Sequence, residues 1–309
     1  MKKHILTYFA LILMLIVSMI MSGCVTNKQH DAGFTMQLTD ELYLYHLNDA
    51  PITGIISKYY ENGNLKWIVS VINGLYEGIH KKYYESGELE VETLYKSGKI
   101  EGTRKYYFRC GTLELEIPYK SGKIEGVVIW YYAGGKVAEE TPYKKGKKDG
   151  IRKFYHYESG RLASEMLYKD GKAEGIYKSY YKSGKLQLEI PHKDGKQEGI
   201  AKYYYESGKL NAKVPYKNDK IDGILKFYYE NGKLAMEALY LNGKREGQMK
   251  IYRENGKLFL TIEYKDNSPI NAMCHHPNGT TTFYTIEEIT PLLEELRSWE
   301  QRIPFGICD

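Results

Sequence analysis

Apolar and polar side chains alternate in short runs along most of this chain. In Leu89-Glu90-Val91-Glu92-Thr93-Leu94-Tyr95 the residues Leu89, Val91, Thr93 and Tyr95 fall on one face, and an alternation of period two predicts a strand with that face covered. The same register returns at Leu113, Leu115, Ile117 and Tyr119, and again at Leu234, Met236, Ala238 and Tyr240. Glycines divide the runs. One series falls at Gly54, Gly78, Gly102, Gly126, Gly150, Gly175, Gly199, Gly223 and Gly247, a step of roughly 24 residues, and the single longer step is absorbed by the extra residue in Phe154-Tyr155-His156-Tyr157. A second series runs from Gly63 to Gly256 and a third from Gly74 to Gly243, with Asp219 and Asn267 standing where the third would continue. Both of these residue types accept turn conformations, so the period survives them.

Each repeat therefore holds two strand-length stretches. Connections such as Glu85-Ser86-Gly87 and Lys96-Ser97-Gly98-Lys99 are too short for crossover helices, so successive strands must be antiparallel neighbours. The expected fold is all-β: an elongated, open, single-layer antiparallel β-meander of hairpin repeats. Equivalent residues would stand about 9.5 Å apart from strand spacing alone, and nine repeats about 85 Å. Four prolines fit badly. Pro118, Pro142, Pro191 and Pro215 precede the residue closing the second stretch, where an interior strand would lose a ladder bond, and they read as strand ends or bulges. Tyr43, Tyr45 and Leu47 resemble half a repeat. At the other end His275-His276-Pro277-Asn278-Gly279 imitates a strand end, and Thr290-Pro291 with Leu292, Leu293, Leu296 and Trp299 predicts a short C-terminal helix capping the last edge, with Thr290 as N-cap. The domain reading is residues 1–23 as signal peptide, 24–40 as linker, 41–270 as repeats and 271–309 as degenerate repeat plus helix.

Composition narrows the function. There are 31 Tyr against 8 Phe, which suits a fold with many half-exposed rings better than a closed core, because a buried phenol needs a hydrogen-bond partner. The net charge is +5, with lysines spread evenly, which argues against nucleic-acid binding. Catalytic constellations need unlike residues converging, whereas nearly every polar residue here belongs to a repeating position. The acidic row Glu77, Glu101, Glu125, Asp149, Glu174, Glu198, Asp222 and Glu246 recurs two residues after a lysine in most repeats, and reads as a solvated rim of alternating charge. His275 and His276 are adjacent on an extended stretch, so their rings point to opposite faces and cannot share a metal ion. No phosphate-cradling loop and no Gly-x-Ser-x-Gly elbow is present. The expectation is no enzyme, no cofactor and no metal.

Two resemblances add to this. Lys2 and Lys3 followed by the apolar run Ile5 to Met21 read as a signal segment, and Met21-Ser22-Gly23-Cys24 resembles the bacterial lipobox, which implies cleavage between Gly23 and Cys24 and acylation of Cys24. With Val25 after the cysteine, the resemblance implies an outer-membrane lipoprotein in a Gram-negative envelope. Tyr-Tyr-Glu-Asn-Gly-x-Leu followed by Tyr-Lys-x-Gly-Lys-x-x-Gly resembles the bacterial variant of the MORN repeat, over about residues 46 to 270. That resemblance implies a non-enzymatic scaffold of stacked hairpins, and relatives labelled antitoxin-like add an immunity role as the alternative, with phospholipid or cell-wall glycan binding as a further one. The expected partner is a protein or an envelope polymer, met by a tyrosine-lined face comprising Tyr59, Tyr83, Tyr107, Tyr131, Tyr155, Tyr180, Tyr204, Tyr228 and Tyr252. Outside the cytosol Cys274 and Cys308 can pair, and Cys110 reads as a small turn residue.

Overall fold

The structure, a computed structural model, describes residues 46–47, 50–51, 53–288 and 290. The chain divides into two compact units, Met1–Gly160 and Arg161–Asp309, and each is described by itself. Both are all-β, and within each the strands pair antiparallel in sequence order. The period-two stretches form eight-residue strands such as Leu89–Lys96 and Leu113–Lys120 in the first unit and Leu210–Lys217 and Leu234–Leu241 in the second.

Turns of two residues connect each long strand to the next strand. Ser97 and Gly98 both have positive φ, 48° and 76°, as do Asn218 and Asp219 at 50° and 65°. Two consecutive left-handed residues make a type I′ turn, whose twist matches that of the strands it joins. Asp219 and Asn267 keep the turn without glycine, and each side chain contributes: Asp219 Oδ1 accepts the Gln197 N–H and Asn267 Oδ1 the Arg245 N–H.

The first stretch of most repeats, the one that opens on a glycine of the first series, is broken. A two-residue piece, Lys99–Ile100, is followed by Glu101 outside the ladder and then by Gly102–Tyr107; the same division gives Lys123–Ile124 with Gly126–Tyr131. Of the two readings of the prolines, bulges hold and strand ends do not: opposite Pro118 the register jumps by two residues, from Tyr119 with Ile124 to Glu116 with Ile129. Pro118, Pro142, Pro191 and Pro215 end no strand: they lie inside Leu113–Lys120, Val137–Lys144, Leu186–Lys193 and Leu210–Lys217. The missing N–H is tolerated because the neighbouring strand is interrupted opposite them, and the proline carbonyl takes the one donor there, Glu125 N–H for Pro118 and Asp149 N–H for Pro142.

The period-two face is covered. In the first unit Ile100, Leu115, Ile117, Tyr119 and Val128 are buried, with Tyr95, Trp130 and Tyr143 packed against them; in the second, Ala201, Leu225, Ile251, Leu260 and Ile262 are. No second layer overlies this face among the described residues, and within each unit the face is covered by its own rows of side chains packed against one another.

The C-terminal helix begins earlier than the sequence suggests. Residues 286–288 and 290 are helical. Thr285, not Thr290, caps them: its N–H donates to Glu288 Oε2 at 2.8 Å and its hydroxyl at 2.9 Å, a capping box written as Thr285-x-x-Glu288. Thr290 already lies inside the helix, its hydroxyl donating to the Ile286 carbonyl. Residues 291–309, which hold the rest of the expected helix, lie outside the described residues, as do Tyr43, Tyr45, Cys24 and Cys308. Cys110 is more than the plain turn residue expected of it: both it and Cys274 are disulfide-bonded. The expected pairing of Cys274 with Cys308 falls outside the described residues.

Candidate functional site

Antiparallel pairing puts directly opposed residues on one face. On the face away from the core, three stripes run across the strands. The first is aliphatic: Ile79 opposes Leu94, Val127 opposes Pro142, Ile176 opposes Pro191 and Ile224 opposes Leu239. Ile79, Val127, Ile151, Ile176, Ile200 and Ile224 remain between 43% and 53% exposed. Each follows a glycine of the first series, a signal legible in the sequence that the reading of the tyrosines overshadowed.

The second stripe is charged and alternates in sign. In the first unit Lys81 opposes Glu92, Glu92 opposes Lys105 and Lys105 opposes Glu116. In the second, Glu165 opposes Lys178, Lys178 opposes Glu189 and Glu189 opposes Lys202.

The third stripe holds the tyrosines predicted as the binding face. A register shift just before each of them, between Lys82 and Tyr83 or Ser179 and Tyr180, places an extra residue, Glu90 or Gln187, in the partner strand. Five of the tyrosine hydroxyls bond to carboxylates. Tyr131 donates to Glu116, Tyr155 to Glu140, Tyr180 to Glu165, Tyr204 to Glu189 and Tyr252 to Glu237, at 2.6 to 3.1 Å. Burial, then the bond to the carboxylate, pushes the Tyr131, Tyr155 and Tyr180 hydroxyls up to about 12. These rings are half-buried, except Tyr59, which is 59% exposed.

The second tyrosine of each pair fastens one repeat to the next. Tyr60, Tyr84, Tyr132, Tyr181, Tyr205 and Tyr229 donate to the backbone carbonyls of Tyr83, Tyr107, Tyr155, Tyr204, Tyr228 and Tyr252, at 2.5 to 2.8 Å. At the opposite margin the acidic row does the same work. Glu77, Glu101, Glu125, Glu174, Glu198 and Glu246 accept the N–H of the positive-φ residue of the following repeat's turn, at 2.6 to 3.0 Å. The carboxylates expected to form a solvated rim are thus turn ties, each a charge-assisted bond across repeats.

The covered face of the first unit is not wholly apolar. His80 stacks on Tyr76 at 5.9 Å and meets Trp67 and Tyr95 edge-on; its buried Nδ1 has no hydrogen-bond partner. Burial, then the charges of Arg104 and Lys82, lowers its pKa to about 4. Arg152 grips Glu139 through two bonds of 2.8 and 3.0 Å while lying over Phe154. His275 and His276 have separate partners, Thr261 and Thr282. Among the described residues no group of three or more His, Cys, Asp or Glu is placed to hold a metal ion, and no helix is long and apolar enough to cross a membrane.

The MORN repeat variant family matches residues 52–71, 76–97, 124–145, 173–194, 197–218, 221–242 and 245–266. The chain carries seven MORN-variant repeats. Between those matches lie a further hairpin of the same make, Gly102–Tyr107 with Leu113–Lys120, and two strands of the same lengths, Gly150–Tyr155 in the first unit and Leu162–Lys169 in the second. No curated protein matches the chain. Among solved structures, a crystal structure of TcdB2-TccC3-TEV is 12% identical with a TM-score of 0.18, covering 71% of this chain and 15% of that one. A crystal structure of TcdB2-TccC3-Cdc42 is 11% identical with a TM-score of 0.14, covering 74% and 17%. The chain thus spans less than a fifth of either.

Proposed function

We propose that this MORN-variant protein is a non-enzymatic scaffold whose open, striped face docks a protein partner, and that acylated Cys24 holds it to the bacterial cell envelope. One observation carries the docking reading. Two residues after each first-series glycine, on the covered face, the side chain varies freely: Ile56, His80, Arg104, Val128, Arg152, Tyr177, Ala201, Leu225 and Met249. One residue earlier, on the exposed face, it is Ile or Val in seven of these nine repeats. Burial normally constrains a position and exposure relaxes it; an exposed stripe held apolar points to a contact made outside the chain. β-Propensity alone does not demand it, since Thr103 and Gln248 occupy the same position.

A protein suits the face better than a glycan. Sugar rings stack on exposed aromatic planes, whereas here all the tyrosines of the stripe but Tyr59 are half-buried, five of them with hydroxyls bonded to carboxylates, and the exposed side chains of the other two stripes are aliphatic and charged. The lipobox-like Met21-Ser22-Gly23-Cys24 supports the anchor. The test is crosslinking in intact cells with identification of what is captured. A specific partner lost from the triple variant Ile176→Glu, Ile200→Glu, Ile224→Glu, while that variant stays folded by circular dichroism, supports the reading; capture unaffected by the triple variant refutes it. Cys24→Ser should release the protein from the membrane fraction.

A further inference from the structure

Among the described residues the charged stripe sets like charges in direct opposition at one place; elsewhere its alternation is interrupted only by uncharged residues such as Ile129 and Thr261. Where Glu116, Glu140, Glu165, Glu189 and Glu237 stand in other repeats, position 213 is a lysine. Lys202 directly opposes Lys213 and Lys213 directly opposes Lys226, with Glu189 opposing Lys202 on one side and Glu237 opposing Lys226 on the other. Like charges in direct opposition destabilise a sheet, so the fold gains nothing from this arrangement. Lys226 keeps a contact to Glu237 at 3.4 Å, and no carboxylate reaches Lys202 or Lys213 among the ion pairs of the described residues.

The same replacement alters the tyrosine stripe. Tyr131, Tyr155, Tyr180, Tyr204 and Tyr252 each donate to the glutamate fifteen residues before them. For Tyr228 that residue is Lys213. Three ammonium groups and one phenol hydroxyl therefore adjoin on the open face, in a repeat that lacks the carboxylate that elsewhere sits between the lysines and accepts the hydroxyl.

We propose that Lys202, Lys213, Lys226 and Tyr228 form an oxyanion site, in which a ligand carboxylate or phosphate takes over the role of the missing glutamate. Three ammonium groups supply the charge and Tyr228 donates a hydrogen bond. Glu189 and Glu237 close the row at both ends, which confines the site to about four strand spacings, roughly 19 Å, and selects a single anionic group over an extended polyanion. The site deepens the docking proposal by placing an acidic or phosphorylated group of the partner at this repeat.

Thermal unfolding of the full chain, followed at constant ionic strength in acetate, in inorganic phosphate and in chloride, tests it. Acetate or phosphate should raise the melting temperature by about 2 °C or more over chloride once it exceeds its dissociation constant several-fold. Lys213→Glu should raise the baseline in chloride and abolish the increment, while the equal charge change Lys193→Glu, at an exposed strand end, should leave the increment intact. Equal increments with both anions assign a carboxylate ligand; an increment confined to phosphate assigns a phosphorylated one. No increment over chloride, or an increment that survives Lys213→Glu, overturns the site. Because capture in the Ile176, Ile200 and Ile224 triple variant is measured separately, persistence of partner binding with no anion effect would sink this site and leave the docking face standing.

Discussion

The glycines that open the short strands are not equivalent, and the difference is set by the residue across the ladder. Opposite proline, Gly126, Gly150, Gly199 and Gly223 have φ of 120°, 123°, 110° and 122°; Gly102, Gly175 and Gly247, which contact Leu94, Leu167 and Leu239, have 75°, 81° and 66°. The rigid ring lies where a leucine would turn its flexible end aside, and the glycine backbone rotates to clear it. Alanine at Gly102 enters a region near the left-handed well, with Leu94 Cδ2 at an ordinary 3.5 Å, and should cost about 1–2 kcal/mol. Alanine at Gly150 meets backbone strain of about 1–3 kcal/mol and also Pro142 Cβ at 2.9 Å, a clash worth about 1–3 kcal/mol more. The gap of about 2 kcal/mol corresponds to roughly a 30-fold difference in the local opening equilibrium. Both sites have a matched reporter: the Asp149 N–H donates to the Pro142 carbonyl and the Glu101 N–H to the Leu94 carbonyl, each at 2.9 Å. Repeat arrays open locally, so native-state hydrogen exchange at those two amides reads the effect more directly than a global melt. Adding Pro142→Leu to Gly150→Ala should restore protection to the level of Gly102→Ala. If the two alanine variants lose protection within about 3-fold of each other, or the leucine fails to rescue, the ring is not what sets the glycine's backbone.

Tyr205→Phe removes the hydroxyl that reaches the Tyr228 carbonyl at 2.6 Å, and should destabilise the hairpin by about 1 kcal/mol, read as faster exchange in the strand Gly223–Tyr228; unchanged exchange would contradict a suturing role. His80 is lowered from 6.5 to about 4, so the native state favours its neutral ring: the stabilisation is whole above pH 6.5 and lost as pH falls through about 4. Urea midpoints between those values should fall, and His80→Phe should flatten the fall. The Tyr131, Tyr155 and Tyr180 hydroxyls, raised from 10.0 to about 12, work in the other direction, with stability intact below pH 10 and lost as pH rises through about 12. Ultraviolet difference titration should show their ionisation delayed and coupled to unfolding; ordinary titration of an intact fold would refute the tyrosine–glutamate pairing.

The strands and the turns were legible because their signals are local. Side-chain alternation needs only neighbouring residues, and Ser97-Gly98 or Asp170-Gly171 announces its backbone directly. What was not legible depends on pairs distant in sequence. Glu116 reads as one more polar residue of a strand until Tyr131 is placed over it, and Glu101 as a surface charge until the Ser121 amide arrives beneath its carboxylate. Pro118 argues against a strand interior by every local rule, and only the interruption at Glu125 in the neighbouring strand makes it acceptable there. The capping box at Thr285 and Glu288 could have been found, but Thr290-Pro291 offers the stronger local start signal and drew the helix five residues too late.

The two faces divide the work in a way that decides which of them can recognise anything. The covered face is filled with whatever side-chain volume each repeat supplies, so Arg152 with Glu139 in one unit and Leu225 with Met236 in the other are alternative fillings, and variation there carries no message to a partner. On the open face, each repeat offers the same aliphatic, charged and tyrosine positions, and the strand ladder fixes their spacing at about 4.8 Å per strand. Repetition gives such a face area and register but no address, since a partner sliding by one repeat meets the same groups again. A departure from the pattern is what can fix the register. Lys213, which reverses one charge of the stripe and frees Tyr228 from its usual acceptor, is such a departure, and its cost in like-charge opposition is what a surface accepts when one repeat must be told apart from its neighbours.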